Sequence, residues 1–173
     1  AVTTGIGNTL MGSLTGDALT DADRNVAVGY QALSTDTLGS RSTAIGYGTL
    51  NEQNFSSATE TYNTAVGYNA GNRVSTGIYN TLLGGLSGDA LTDADYNVAL
   101  GTQALSADTK GSRTVAIGHA TLQTQNFTSA TDTYNTAVGF SAGTTLTTGI
   151  DNTLIGGLAG DAITTGDENV AVG

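Results

Sequence analysis

The chain repeats itself at two scales, and this restricts its fold more than any single motif does. Residues 1–72 and 73–144 align without a gap, 50 of the 72 pairs being identical, and residues 145–173 begin a third copy. Inside each copy recurs a five-residue unit, Asn-[Thr/Val]-[Ala/Leu]-aliphatic-Gly. It starts at Asn8, Asn25, Ser42, Asn63, Asn80, Asn97, Thr114, Asn135, Asn152 and Asn169. Successive starts lie 17 residues apart, except for 21 from Ser42 to Asn63 and from Thr114 to Asn135. Positions within a coil are counted from this unit, with the Asn at position 1 and the Gly at position 5.

A 17-residue unit is too short for a helix–turn–helix repeat, which needs more than about 30 residues. In Asn25-Val26-Ala27-Val28-Gly29 the valines alternate, the period of a strand rather than a helix. Strand-favouring Thr, Val, Ile and Tyr crowd these segments, and the chain holds 31 threonines. A second short stretch follows the Gly, as in Tyr30–Leu33 or Thr102–Leu105, and then a polar Gly/Asp/Ser/Thr turn. The expectation is an all-β, parallel β-roll or β-helix solenoid. It has two short strands per coil, each pairing with its counterpart one repeat away. Residues 1–173 then form one repetitive segment of a longer fibre, and ten motifs at about 4.8 Å per strand make a rod roughly 45–50 Å long.

Composition enters through the core. Leu, Ile, Val and Phe total 36 of 173 residues, close to the roughly 20% below which chains tend to stay disordered. A solenoid escapes that limit because neighbouring coils complete one another's core. The most regular apolar column is position 4: Met11, Val28, Ile45, Val66, Leu83, Leu100, Ile117, Val138, Ile155 and Val172. Position 3 (Ala27, Ala44, Ala65, Leu82, Ala99) is apolar too, so one strand face is expected to pack inside the coil and the other against partner chains. The Thr/Val column at position 2 (Thr9, Val26, Thr43, Thr64, Thr81, Val98, Val115, Val170) is expected to point inward. On that ground an ice-binding Thr array is set aside. The position-1 asparagines suggest a hydrogen-bonded ladder along the rod.

Several functions are excluded early. A net charge of −10 is the wrong sign for holding nucleic acid or an anionic membrane surface. No apolar run approaches the roughly 20 residues of a membrane-spanning helix. There is no cysteine, hence no disulfide and no thiolate metal site. The single histidine, His119, takes the place of Tyr47 in the preceding copy, and no nucleophile–base set is recognisable. Neither an enzyme nor a cofactor is expected; glycan cleavage by paired carboxylates, which adjacent subunits could bring together, is the lower alternative.

The unit Asn25-Val26-Ala27-Val28-Gly29-Tyr30-Gln31-Ala32 resembles the head repeats of trimeric autotransporter adhesins, as does Thr114-Val115-Ala116-Ile117-Gly118. The form Asn63-Thr64-Ala65-Val66-Gly67-Tyr68-Asn69-Ala70 is similar to repeats of bacteriophage-type tail fibres. This resemblance implies a left-handed parallel β-roll, three identical chains side by side, and attachment to a cell-surface receptor or polysaccharide. It also implies an extracellular location, on a bacterial cell surface or, alternatively, on a virion tail fibre. The coils of 17 and 21 residues are longer than those of the adhesin heads.

Three surfaces are candidates for binding. The long coils carry insertions, 51–61 and 123–133, whose Phe55 and Phe127 could anchor a partner, fold back over their own loops or dock on a neighbouring chain. Tyr62, Tyr79 and Tyr96 stand at the residue before position 1 in successive coils, and Tyr30, Tyr47 and Tyr68 at position 6. Two ladders are expected, stabilising the rod or gripping a sugar chain. Acidic turns place Asp17, Asp21 and Asp23, and again Asp89, Asp93 and Asp95, where they could hold Ca²⁺ or simply face solvent.

Overall fold

The computed structural model describes residues 2–173, which form a parallel β-solenoid with no helix among them. Its strands are β1 (Thr9–Met11), β2 (Val26–Val28), β3 (Gly39–Ser40), β4 (Thr43–Ile45), β5 (Thr59–Glu60), β6 (Thr64–Val66), β7 (Thr81–Leu83), β8 (Val98–Leu100), β9 (Gly111–Ser112), β10 (Val115–Ile117), β11 (Thr131–Asp132), β12 (Thr136–Val138), β13 (Thr153–Ile155) and β14 (Val170–Val172). Ten of these, one per repeat, stack in a single parallel sheet in the order β1-β2-β4-β6-β7-β8-β10-β12-β13-β14. The register follows the motif: Thr9 pairs with Val26, Leu10 with Ala27 and Met11 with Val28, and likewise along the rod. The 21-residue coils keep that register, so their extra residues are absorbed elsewhere.

The expected second strand, at positions 6–9, is absent. The two-residue pairs β3–β5 and β9–β11 lie elsewhere, just ahead of the next motif. In all nine coils that contain them, positions 6–9 turn a corner. Gln31 and Leu33 both have positive φ, at 56° and 52°. The backbone is nonetheless paired: Gln31 N–H donates to Ser13 O of the preceding coil and Leu33 N–H to Thr49 O of the next. Side-chain types that disfavour the left-handed region are held there by ladder bonds on both sides.

The inside and outside of the sheet are the reverse of the expectation. Position 3 is the inner column: Ala27, Ala44, Ala65, Leu82, Ala99, Ala116, Ala137 and Leu154 are fully buried. Positions 2 and 4 point out, and Met11, Ile45, Ile155 and Val172 are among the exposed large side chains. The Thr/Val column at position 2 therefore faces outward as well. The reason is the narrowness of the coil. Position 9 supplies a second core column, Gly16, Leu33, Leu50, Gly71, Gly88, Leu105, Leu122, Gly143 and Gly160, and bulk is exchanged between the columns. Where position 3 is leucine, position 9 of its own coil is glycine. A Cβ on Gly88 would come within 2.8 Å of Leu82 Cδ2, and one on Gly71 within 2.7 Å of Leu82 Cδ1. Where position 9 is Leu33, Leu50, Leu105 or Leu122, position 3 is alanine. No coil thus carries leucine in both columns. Where a coil has it in neither, at Ala65/Gly71 and Ala137/Gly143, leucines of the neighbouring coils fill the space, which is how so few aliphatic residues suffice.

The asparagines do form a ladder, mostly from side chain to backbone. Asn80 Oδ1 accepts from the Asn97 N–H (3.0 Å), and Asn80 Nδ2 donates to the Ala94 carbonyl (2.8 Å). Asn25, Asn63, Asn97 and Asn135 repeat one or both bonds. Direct amide–amide contact is secondary, as between Asn152 Nδ2 and Asn135 Oδ1 at 3.2 Å. The two departures from Asn, Ser42 and Thr114, open the two long coils. There a buried cluster takes over. Gln53 Nε2 donates to Asp36 Oδ2 (2.6 Å) and Ser42 Oγ (2.9 Å), and Gln53 Oε1 accepts from Asn63 Nδ2 (2.9 Å). Gln125, Asp108, Thr114 and Asn135 repeat the arrangement 72 residues later.

Candidate binding surface

The outer surface of the ten-stranded sheet is built from four columns. Positions 2 and 4 provide the Thr/Val and aliphatic rows, and on either side stand aromatic ladders. Each ladder exists because successive coils are in register at about 4.8 Å. Tyr30, Tyr47 and Tyr68 stack with centroids 5.3 and 5.4 Å apart and planes within 20°. Tyr62, Tyr79 and Tyr96 stack at 5.3 and 5.0 Å, nearly parallel. The second ladder is closed by cations at both ends. The Arg41 guanidinium lies 5.5 Å from the Tyr62 ring centre, and Arg113 lies 4.9 Å from Tyr96 and 6.0 Å from Tyr134. Tyr62 OH donates to Glu60 (2.7 Å), which also pairs with Arg41 at 2.7 Å. That hydrogen bond, followed by Arg41, holds the Glu60 carboxyl below its usual range.

Stacking consumes ring faces. In the Tyr62 ladder every face along the stack meets another ring or a guanidinium, so what it presents outward is ring edge and hydroxyl. The sequence suggested both tyrosine columns. Not expected were the cationic partners and the third stack of His119 on Phe140 at 5.3 Å. That pair was detectable, because His119 and Phe140 stand where Tyr47 and Tyr68 stand one super-repeat earlier.

Phe55 and Phe127, considered as exposed anchors, are buried. Each insertion folds back over the polar cluster of its own coil. Thr37 Oγ1 donates to Phe55 O, Thr109 Oγ1 to Phe127 O, and the Phe127 N–H to Asp108 Oδ1. At 7% exposure each, the two side chains leave no face for a partner. Burial raises the Asp36 carboxyl above the usual range, against the lowering effect of bonds from Gln53 and the Gly39, Phe55 and Leu38 backbone.

The acidic turns act as backbone acceptors and surface ion-pair partners. Asp23 Oδ1 accepts from the Ile6 N–H and Asp95 Oδ1 from the Ile78 N–H, both at 2.8 Å. Asp21 accepts from Thr4 Oγ1 at 2.7 Å, and Asp93 lies 3.9 Å from Lys110. Burial raises Asp89 and Asp95. Among the described residues no three His, Asp or Glu side chains converge as a metal site would require.

With position 2 facing outward, the earlier ground for setting aside an ice-binding array no longer applies. The array itself argues against one: valine interrupts the threonines at 26, 98, 115 and 170, and the neighbouring column is aliphatic. Searches against protein-family models, curated proteins and solved structures find no match for the chain.

Proposed function

We propose that the chain is a non-enzymatic, structural and adhesive segment of an extracellular surface fibre. Three copies assemble side by side as left-handed rolls, and the fibre attaches to a cell-surface receptor or polysaccharide. The three-fold assembly and the hand follow from the resemblance of the repeats. The observation that supports assembly is the outward face of the ten-stranded sheet. A stack of ten strands is roughly 43 Å long and, from ladder to ladder, roughly 20 Å across. That is on the order of the ~800 Å² per partner that a stable interface buries. Its central columns are Val, Ile, Leu, Met and Thr, a composition that monomeric surfaces rarely carry in so continuous a patch.

Adhesion is tested by coating beads with the protein and measuring their retention under flow on cells that display surface polysaccharide. Retention that disappears when the polysaccharide is stripped enzymatically is the expected result. Retention no better than that of uncoated beads contradicts an adhesive role.

A further inference from the structure

The position-6 ladder is interrupted. Along the rod this column reads Ser13, Tyr30, Tyr47, Tyr68, Gly85, Thr102, His119, Phe140, Gly157. Tyr68 stacks one face on Tyr47. Its other face looks toward the next coil, where Gly85 has no side chain, and Tyr68 is the most exposed ring of its ladder at 57%. A Cβ on Gly85 would meet nothing nearer than the Tyr68 carbonyl oxygen at 4.0 Å, so the space above it is open. The same arrangement returns 72 residues later. Phe140 stacks one face on His119, is 60% exposed, and is followed by Gly157, where a Cβ would meet nothing within 4 Å.

We propose that the missing rungs at Gly85 and Gly157 seat hexopyranose rings of a neutral polysaccharide, each stacked on the free face of Tyr68 or Phe140. This rests on the adhesive reading above and names the part of the surface that makes the contact. The rungs of the intact ladder stand 5.3–5.4 Å apart, so the missing rung at Gly85, between Tyr68 and Thr102, leaves the thickness of one six-membered ring. Replacing Tyr68 by Phe140 keeps the ring face and drops the hydroxyl, so the face is the feature the two sites share. The two gaps lie in one column four coils apart, roughly 19 Å along the rod. The negative charge of the chain favours an uncharged polymer over an acidic one. By contrast, the Tyr62 ladder offers no free face, because Arg41 and Arg113 close it.

The test is the double variant Gly85→Tyr/Gly157→Tyr, which supplies the missing rungs. Neither glycine has a left-handed backbone and both have room for a side chain, so the variant should fold with an unchanged or higher melting temperature. Cellohexaose, maltohexaose and mannohexaose are titrated calorimetrically into the wild type and the variant. The mass of each protein is followed by sedimentation. The expected result is that at least one oligosaccharide binds the wild type and binds the variant at least tenfold more weakly, the mass being unchanged. Equal binding to both proteins overturns the site and leaves the adhesive reading intact. Binding of none of the three overturns the inference, while bead retention decides the adhesive reading independently. A change of mass in the variant overturns it too, by making the gap a contact between chains.

Discussion

Asn80 closes its own coil at Ala94 and fixes the start of the next at Asn97 with a single amide. Replacing it with alanine strands a buried N–H and a buried carbonyl together, each costing about 1–3 kcal/mol. Asn80→Ala should therefore lower stability by about 2–6 kcal/mol in a urea titration. Ser87 is the opposite case. Its hydroxyl is buried without a partner, and the same position is alanine at 32, 70, 104, 142 and 159. Ser87→Ala should leave stability unchanged or raise it by up to about 1 kcal/mol. The position-5 glycines admit no such exchange. Gly67 has φ +139°, and a Cβ there would sit 2.6 Å from the Gly84 carbonyl oxygen. Gly67→Ala combines backbone strain of about 1–3 kcal/mol with a steric clash, and should destabilise by about 3 kcal/mol or more.

At the scale of the coil, the exchange of bulk between positions 3 and 9 makes a single leucine decisive. Leu82 fills the space left by Gly71 and Gly88, so Leu82→Ala should cost about 2–5 kcal/mol through the cavity it opens. Coil length, register and parallel pairing were legible in the sequence because a 17-residue spacing and an invariant Gly leave few alternatives. Which face of the strand is the core was not. Both position 3 and position 4 are apolar, and the larger side chains, at position 4, invite the inward assignment. The telling signal lay elsewhere, in the pairing of Leu10, Leu82 and Leu154 with Gly16, Gly88 and Gly160. It becomes readable only when two columns six residues apart are compared. The second strand was expected where there is none, for a local reason. Alternation at Tyr30–Leu33 looks like a strand, but Gln31 and Leu33 adopt positive φ, which side-chain type alone does not announce. The aromatic ladders were visible as spacing. Their capping was readable on the same ground, because Arg41 and Arg113 stand in the Tyr62 column one coil before it begins and one coil after it ends. The burial of Phe55 and Phe127 was not, since it depends on how a loop returns to the coil.

For the whole molecule, charge and burial act together on stability. Asp36, Asp89 and Asp95 have carboxyl groups raised by burial, so the folded chain holds protons that the unfolded chain has released. A raised folded-state value contributes stability that is complete below the unfolded value, about 3.9 for Asp, and is lost as pH rises through the folded value. Self-repulsion of the net −10 chain acts in the same direction. Exposed Glu60, with its lowered value, opposes this only at the acidic extreme. The melting temperature should therefore rise as pH is lowered from neutrality toward about 4.5. Asp36→Asn should flatten that dependence, which a melting series across this range would show.

The central claim is that the outward face of the sheet is covered by copies of the same chain. Sedimentation equilibrium at micromolar concentration tests it most directly, with Val66→Lys/Leu83→Lys as the control that places charge on that face alone. The account predicts a wild-type species of three times the 17.3 kDa chain mass and a folded control of lower mass. A folded wild-type monomer of 17.3 kDa at that concentration would contradict it.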